Sequence, residues 1–226
     1  MTPFFRIQLR TIDVDAARRF YTAVIGAQIV SNAVPLHEQA IARGAKPHWL
    51  GFLDVGEVDR ASVAFTQRGA TSYGPKWINP EGLEAAVMRD PGGAMVALAK
   101  PPGLTSATAV SWHLLHTLDV ERAKANYGEL FGWEFKAPRD LGSQGIFHPF
   151  SYERGGPPVG SMTELRAGVH AHWLFHFAVP SLDAAVAAVK AGGGVVLGPF
   201  TLPGGERIAI CDDPQGAAFA IREPSV

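Results

Sequence analysis

Apolar and polar residues alternate along residues 4–11, which predicts a strand with one apolar and one polar face, because neighbouring strand side chains point to opposite sides. The apolar face, expected to lie under a helix, carries Phe5, Ile7 and Leu9, and the polar face carries Arg6, Gln8 and Arg10. Residues 172–179 alternate in the same way. Four such strand-like segments occur, and each is followed by a turn and a helix-like run.

The four segments belong to two copies of one larger repeat. TIDVDAARRFY at 11–21 matches TLDVERAKANY at 117–127, an offset of 106, and HWL at 48–50 matches HWL at 172–174, an offset of 124. The Asp-Pro-X-Gly sequence at 90–93 likewise recurs at 213–216. The sequence therefore predicts four modules, near residues 1–46, 47–101, 110–169 and 170–226, with a linker around residues 100–106.

The offset rises from 106 to 124, so the first module lacks 18 residues that the third contains, and we expect it to lack two strands. Residues 35–44, PLHEQAIARG, predict a helical turn or lid there instead of a hairpin. Asp13, Asp119 and Ser181 stand where helix N-caps are expected, and the Asp-Pro-X-Gly sequences predict hairpin turns. Turn or core positions, rather than chemical roles, are assigned to Asp90, Asp213, Tyr21, Tyr127, Trp49 and Trp173.

Composition narrows the class of protein. The chain has 226 residues, 47% hydrophobic and 18% charged, and a single cysteine, which fits a globular protein that needs no disulfide or metal for stability. Its 20 basic and 21 acidic residues lack the positive surplus typical of nucleic-acid binders. No segment approaches the ~18 uninterrupted apolar residues of a membrane span, and the first residues do not resemble a signal peptide. We therefore expect a cytoplasmic protein with neither nucleic acid nor membrane as a partner.

These features together resemble the vicinal-oxygen-chelate superfamily, the glyoxalase, bleomycin-resistance and extradiol-dioxygenase group, in its tandem two-domain form. The resemblance covers essentially the whole chain and rests on the D-x-x-x-A-x-x-F-Y helix, the HWL strands and the two hairpin turns, although Asn126 replaces the phenylalanine in the second helix. It implies an α+β fold with two glyoxalase-like domains, residues 1–101 and 110–226. Each domain would pair βαβββ modules into a curled mixed sheet with a concave pocket and outer helices.

In that fold the strand faces opposite the helices would line two pockets. Ligand binding is predicted for Arg6, Gln8, Arg10, His48, Trp112, Leu114, Phe150, Leu174 and His176. Arg6 and Arg10 can either clamp a carboxylate or phosphate or pair with acids on neighbouring strands. His116 and His172 are the predicted catalytic residues, since a pocket histidine can exchange protons near neutral pH; the alternative is that they only bind ligand.

Metal-dependent relatives take one ligand from the first strand of each module and a glutamate four residues after the hairpin glycine. In this chain those positions hold Arg6, Leu50 and Ala97 in the first pair, and Trp112, Leu174 and Ala220 in the second. None of these side chains binds a divalent cation, so we predict no metal and no other cofactor. One alternative is a displaced metal site of His116, His170 and His172; its rival is histidines that hydrogen-bond to neighbours or line a neutral pocket.

The predicted function is binding of a compact organic molecule, with an apolar part met by Trp112, Phe150 and Leu174 and polar groups met by His116 and His172. A metal-independent lyase or isomerase reaction, with histidine-assisted proton transfer next to a carbonyl, is one form of this function. Sequestration of a drug or metabolite without catalysis is a second, and metal-dependent lyase or dioxygenase activity is a third. The sequence does not decide between them, and it is compatible with a monomer or a homodimer.

Overall fold

The structure is a computed structural model that describes residues 2–26, 32–103 and 109–225. The last residues of the predicted linker, 104–106, lie outside these ranges. The described residues form two mixed sheets and five α-helices, which confirms the α+β fold class. No helix in the described ranges is both long enough and apolar enough to span a bilayer.

Four of the helices follow the first strand of a module. The helices are α1 (Val14–Ile25), α2 (Glu38–Ala42), α3 (Val58–Gln67), α4 (Val120–Phe131) and α5 (Leu182–Ala191). The predicted N-caps are confirmed, because the side chains of Asp13, Asp119 and Ser181 accept hydrogen bonds from the first turns of α1, α4 and α5. The short helix α2 lies inside the segment for which a helical turn was expected.

The first sheet takes its strands from the first two modules. They are β1 (Phe4–Thr11), β2 (Ala33–Pro35), β3 (His48–Asp54), β4 (Thr71–Ser72), β5 (Trp77–Ile78), β6 (Glu84–Arg89) and β7 (Met95–Lys100). Their order is β2-β1-β3-β7-β6-β4, with β5 paired to β6. The pairs β1–β2 and β3–β7 are parallel, and β6–β7 is an antiparallel hairpin closed by the turn that contains Asp90.

The second sheet takes its strands from the last two modules. They are β8 (Val110–Thr117), β9 (Glu134–Phe135), β10 (Arg139–Asp140), β11 (Ile146–Ser151), β12 (Gly160–Glu164), β13 (His172–Ala178), β14 (Val195–Thr201), β15 (Arg207–Asp212) and β16 (Ala218–Glu223). Their order is β10-β11-β12-β8-β13-β16-β15-β14, with β9 paired to β11. Strand β12 runs parallel to β8, as β2 does to β1, so β2 takes the place of β12 in the shorter first module.

Two compact units can be distinguished, and each contains strands of both sheets. The first unit comprises Met1–Arg6, Gly51–Thr108 and His113–Trp173, and the second comprises Ile7–Leu50, Ala109–Trp112 and Leu174–Val226. Helix α3 packs on α4 in the first unit, and α1 packs on α5 in the second. The division into domains 1–101 and 110–226 stays a prediction.

Strand β1 alternates as expected only from its fourth residue onward. Ile7 and Leu9 are buried. Phe5, expected on the same face, is partly exposed, and Phe4 is buried in its place. The reason lies in the first unit, where the Phe4 ring stacks on the His113 ring with centroids 5.1 Å apart. The first residues of β1 thus depart from the simple alternation, and Phe5 is not buried together with Ile7 and Leu9.

A buried polar triad holds the first unit together. The Tyr127 hydroxyl on α4 donates to Asp90 Oδ2 at 3.1 Å and accepts from Trp173 Nε1 at 3.3 Å. The same Asp90 carboxylate accepts from the backbone N–H of Ala94, which closes the β6–β7 turn. Burial raises the pKa of both Asp90 and Tyr127. One carboxylate therefore fixes a hairpin of the first sheet and a helix of the second.

The second unit contains the equivalent triad from the other copy of the repeat. The Tyr21 hydroxyl on α1 donates to Asp213 Oδ2 at 3.1 Å and accepts from Trp49 Nε1 at 3.0 Å. Asp213 also accepts from the backbone N–H of Ala217 in the β15–β16 turn. The sequence predicted these residues as turn and core positions, but it did not show that the turn of one half binds the helix of the other.

Replacing either tyrosine by phenylalanine should destabilise the fold. In Tyr127→Phe, Asp90 and the Trp173 N–H lose their shared partner while they stay buried, which should cost about 1–3 kcal/mol. Tyr21→Phe should behave alike. Urea unfolding measures the loss, and Tyr73→Phe, on an exposed side chain, is the control. Equal stability of all three variants would contradict this role of the triads.

Candidate functional site

Four side chains with ring or guanidinium nitrogens meet in the first unit. His116 lies near the end of β8, Arg166 follows β12, His170 precedes β13 and His172 begins it. The His116 and His172 rings stack with centroids 5.0 Å apart and planes 16° apart, and the His170 and His172 centroids are 4.9 Å apart. We call these four residues the histidine–arginine cluster.

Strand pairing explains why the cluster assembles. Thr163 of β12 stands opposite His116 of the parallel strand β8. The Thr163 hydroxyl donates to the Ile146 carbonyl at 2.9 Å, which ties β12 to β11 at this point. The chain then leaves β12 and turns back to enter β13, so residues 165–171 carry Arg166 and His170 to the same end of the strands. Both of these side chains are exposed, and His116 is partly buried.

His116 is neutral over the physiological pH range. Burial lowers its pKa to about 3, and the charges of His172, Arg166 and His170 act in the same direction. No carboxylate in the described ranges is among the groups that shift this pKa. The His116 Nδ1 atom is also buried and has no hydrogen-bond partner within the described ranges. The imidazole is thus an uncharged group with one unused polar atom in a positive environment.

The protonation of His172 follows from its local hydrogen bond. Its Nδ1 lies 2.8 Å from the His170 carbonyl oxygen. A carbonyl only accepts, so Nδ1 carries the proton, and in the neutral ring Nε2 is the acceptor. His48 of the first sheet shows the same arrangement, with Nδ1 2.7 Å from the Lys46 carbonyl oxygen. The two histidines occupy equivalent positions of the repeat.

The other residues predicted for the second pocket lie in different surroundings. Trp112 is partly exposed, and the Arg222 guanidinium carbon lies 4.8 Å from its ring centroid, within range of a cation–π interaction. Leu114, Leu174 and His176 are buried, with relative exposures of 6%, 1% and 4%. Within the chain as described, these three present almost no surface to solvent.

Phe150, predicted to contact ligand, lies in the aromatic core of the structure. Phe150 is fully buried, and its ring stacks on Trp133 with centroids 4.4 Å apart. In the β11–β12 pair it stands opposite Gly160, three residues from Thr163, and therefore on the other face from His116. A side chain at Gly160 would begin 2.5 Å from the Phe150 ring, so the glycine makes room for it. Phe150 belongs to the aromatic core.

The residues predicted for the first pocket differ in their partners. Arg6 pairs with Glu81 at 3.7 Å, an acid that lies in the turn between β5 and β6 and not on a neighbouring strand. Arg10 forms no ion pair or hydrogen bond within the described ranges, and its Nε atom is buried. Gln8 and His48 are partly exposed. Burial lowers the pKa of His48; the Lys46 carbonyl opposes this shift, and Arg10 adds to it.

The donors present do not fit the metal of metal-dependent relatives. At the corresponding positions, Leu50, Ala97, Leu174 and Ala220 carry no donor atom, and the remaining two are Arg6 and Trp112. The displaced alternative of His116, His170 and His172 fits poorly as well. Stacked rings point their nitrogens along nearly parallel planes, whereas metal ligands converge on one point. Within the described ranges no group of three His, Cys, Asp or Glu residues has an arrangement that could hold an ion.

Arg166 is the cluster residue that the sequence did not predict. It lies between two strands, where the alternation of buried and exposed positions gives no information. The available signal was its position four residues before His170, at the start of the segment that contains His170, His172 and His176. Thr163 was missed for a different reason, since only the register of β12 against β8 places it beside His116.

Comparison with known proteins identifies a family domain in the second half of the chain. Residues 110–221 match the model of the Glyoxalase/Bleomycin resistance protein/Dioxygenase superfamily. A protein of Mycobacterium tuberculosis (strain CDC 1551 / Oshkosh) named "Putative glyoxylase CFP32" is 28% identical over 97% of this chain and 94% of its own length. Residues 110–221 therefore carry a domain of this superfamily. The resemblance inferred from the repeated helix, the HWL strands and the hairpin turns is therefore confirmed.

Solved structures of a dioxygenase and a glyoxalase share the fold. A substrate complex of homoprotocatechuate 2,3-dioxygenase from Brevibacterium fuscum is 15% identical, with a TM-score of 0.65, over 97% of this chain and 79% of that one. The Mn(II)-bound glyoxalase from Novosphingobium aromaticivorans is 11% identical, with a TM-score of 0.59, over 99% and 83% of the two chains. At these identities the likeness establishes the fold of this chain and leaves its chemistry open.

The neutral state of His116 should make stability depend on pH. Below its ordinary pKa of about 6.5 the unfolded chain takes up a proton at His116, whereas the folded chain does so only near pH 3. The free energy of unfolding should therefore fall as pH decreases from 6.5 towards 3. Urea unfolding should give a shallower fall for His116→Gln, with a residual slope from His113, whose pKa burial lowers to about 4.

An NMR titration of the His116 imidazole gives the direct check, with an expected midpoint near pH 3. A midpoint above pH 6 would contradict the neutral state, and so would an unchanged slope in His116→Gln.

Proposed function

We propose that this glyoxalase-superfamily protein binds a small organic anion at the histidine–arginine cluster, without a metal ion. The observation that carries the proposal is His116, a neutral imidazole whose buried Nδ1 has no partner in the described ranges and whose pKa the charge of Arg166 helps to lower. A buried polar atom without a partner costs stability, and a ligand would remove that cost.

The charges of the cluster favour an anionic ligand. Its charged or chargeable groups are three imidazoles and one guanidinium, and no acid contributes to the shift at His116. A carboxylate would pair with the exposed Arg166 in the planar, two-point geometry that guanidinium groups favour. The same carboxylate would oppose the lowering of the His116 pKa. Binding of an anion should therefore raise that pKa.

The two histidines supply the contacts to the uncharged part of the ligand. His172 has a fixed tautomer, with Nδ1 donating to the His170 carbonyl, so Nε2 is the acceptor atom of the neutral ring. A ligand hydroxyl or N–H group suits this acceptor. His116 Nδ1 can donate or accept according to its tautomer. The ligand class is thus a small acid with a neighbouring hydroxyl, carbonyl or amine.

The low pKa of His116 favours binding over proton transfer as its role in the ligand-free protein. General bases work best with a pKa near the working pH, and a pKa of about 3 makes His116 a weak base at neutral pH. Proton transfer next to a carbonyl requires the ligand's own charge to raise that pKa first. Stoichiometric binding without turnover is sequestration, and turnover after binding is the lyase or isomerase reaction.

Removing either the Arg166 guanidinium or the His116 imidazole should weaken binding of the anion. Glycolate, pyruvate, benzoate and inorganic phosphate serve as probes in calorimetric titrations of the intact protein. We expect Arg166→Gln and His116→Ala each to weaken the probe that binds by at least tenfold, because each removes one contact to the anion. Arg154→Gln, an exposed arginine of the same unit, is the matched control.

Retained affinity in both variants would contradict the proposal. Incubation of the bound probe followed by mass spectrometry then separates the two forms of the function, since an unaltered probe means sequestration and a product of equal mass or smaller fragments means isomerase or lyase turnover.

Binding should not depend on a divalent ion. Protein purified without a histidine tag should contain less than stoichiometric divalent metal by elemental analysis, and treatment with EDTA should leave the probe's Kd within twofold. The reason is that the donors at the family's metal positions are absent from this sequence. Stoichiometric metal together with loss of binding after EDTA would support the displaced histidine site instead.

A further inference from the structure

A partly buried arginine of the second unit lacks a counter-charge. Arg10 of β1 makes no ion pair or hydrogen bond with any described residue, and its Nε atom is buried. The residues outside the described ranges are Met1, AQIVS, LTSAT and Val226, and none of them has an acidic side chain. The chain therefore has no evident acid reserved for Arg10.

The other partly buried arginines that the structure describes have acidic partners. Arg222 has a side chain that is 12% exposed and pairs with Glu206, and Arg207 pairs with Asp183 at 2.7 Å. Taking a guanidinium out of water without an opposite charge is costly, so the unpaired state of Arg10 needs a reason outside the stability of the fold. A bound anion would supply that reason.

His48 begins β3, which pairs with β1 in the first sheet, and it cannot provide the charge that Arg10 lacks. Its Nδ1 is held 2.7 Å from the Lys46 carbonyl oxygen, so the neutral ring presents Nε2 as an acceptor. The nearby Arg10 charge and burial both lower the pKa of His48, so the ring stays uncharged at neutral pH. The pair thus offers one permanent positive charge and one hydrogen-bond acceptor.

The repeat relates this pair to the histidine–arginine cluster. Arg10 stands at the position of His116, 106 residues earlier, and His48 stands at the position of His172, 124 residues earlier. The two pairs lie in different units. In the Arg10–His48 pair a guanidinium replaces one imidazole of the His116–His172 pair, so the charge of Arg10 does not depend on pH.

We propose that Arg10 and His48 form a second ligand site, separate from the cluster, for a small oxyanion that also carries a hydroxyl group, such as a 2-hydroxycarboxylate. Arg10 binds the carboxylate through its guanidinium. His48 Nε2 accepts a hydrogen bond from the hydroxyl, which distinguishes a hydroxy acid from the plain acid of the same size. The site requires neither a metal nor the residues of the cluster.

NMR of the full chain tests the site, with glycolate as the probe and acetate, which lacks the hydroxyl, as the comparison. Glycolate should shift the His48 imidazole and Arg10 Nε signals, and acetate should bind at least tenfold more weakly. Arg10→Met should weaken glycolate binding at His48 by at least tenfold. Arg19→Met, on an exposed arginine of α1 in the same unit, should leave it within twofold.

Stability separates a ligand role from a structural role for Arg10. If Arg10 serves a ligand, Arg10→Met should fold with an equal or higher Tm, because it removes an uncompensated charge, and glycolate should no longer raise that Tm. If Arg10 instead stabilises the fold, the Tm of Arg10→Met falls, and the proposal is overturned. Unchanged glycolate affinity in Arg10→Met overturns it equally, as does equal affinity for acetate.

The cluster variants keep this proposal distinct from the proposed function. Glycolate shifts at His48 should persist in Arg166→Gln and in His116→Ala, because those residues belong to the first unit. Loss of the His48 shifts in these variants would mean that glycolate acts through the cluster, and would overturn a separate site. If these variants lose binding at the cluster but keep the glycolate shifts at His48, the result supports both sites.

Discussion

The structure depends on the requirement that a buried carboxylate has its hydrogen bonds satisfied. Asp90 and Asp213 are buried, and each is bound by a turn N–H and by a tyrosine hydroxyl that also accepts from a tryptophan. Each triad fixes a hairpin, a helix and a strand together. Because Trp173 faces its triad, the neighbouring His172 must face the opposite side of β13. The polar core thus determines which side chains are available for ligand.

Much of the fold followed from the sequence because the repeat marks equivalent positions twice. The N-caps, the hairpin turns and the side on which His172 lies all depend on short-range rules, which sequence patterns report well. The burial of Phe5 was not predicted correctly, because Phe4 is the buried residue at the start of β1, where its ring stacks on His113. The sequence could not show on which face of the sheet Phe150 lies, because that face depends on the β11–β12 register. Arg166 was missed because a loop has no periodic pattern of buried and exposed residues.

The two halves of the repeat use the same backbone positions with different electrostatics. His116 is neutral, stacks on His172 and lies within range of the Arg166 charge, whereas Arg10 carries its own charge near the neutral His48. A metal ion in this kind of fold would place positive charge next to ligand oxygens. Side chains of this chain can supply the same charge through guanidinium groups, which explains how the fold could serve oxyanions without the usual metal donors.

Buried polar atoms in this chain differ in whether they have hydrogen-bond partners, and this difference helps to separate structural groups from ligand-binding groups. Within the described residues, the Tyr127 hydroxyl in the core has two partners, whereas His116 Nδ1 and Arg10 Nε are buried with none. Groups that serve stability gain from being paired in the folded chain, and groups that serve a ligand must keep their capacity until it arrives. These two atoms belong to strand positions related by the repeat, on β1 and β8, and the buried hydroxyls of Thr11 and Thr117 beside them also lack a partner in the described ranges. Positive charge separates Arg10 and His116 from the threonines, because Arg10 carries a charge and the charge of Arg166 acts on His116, and this favours an anionic ligand at each position.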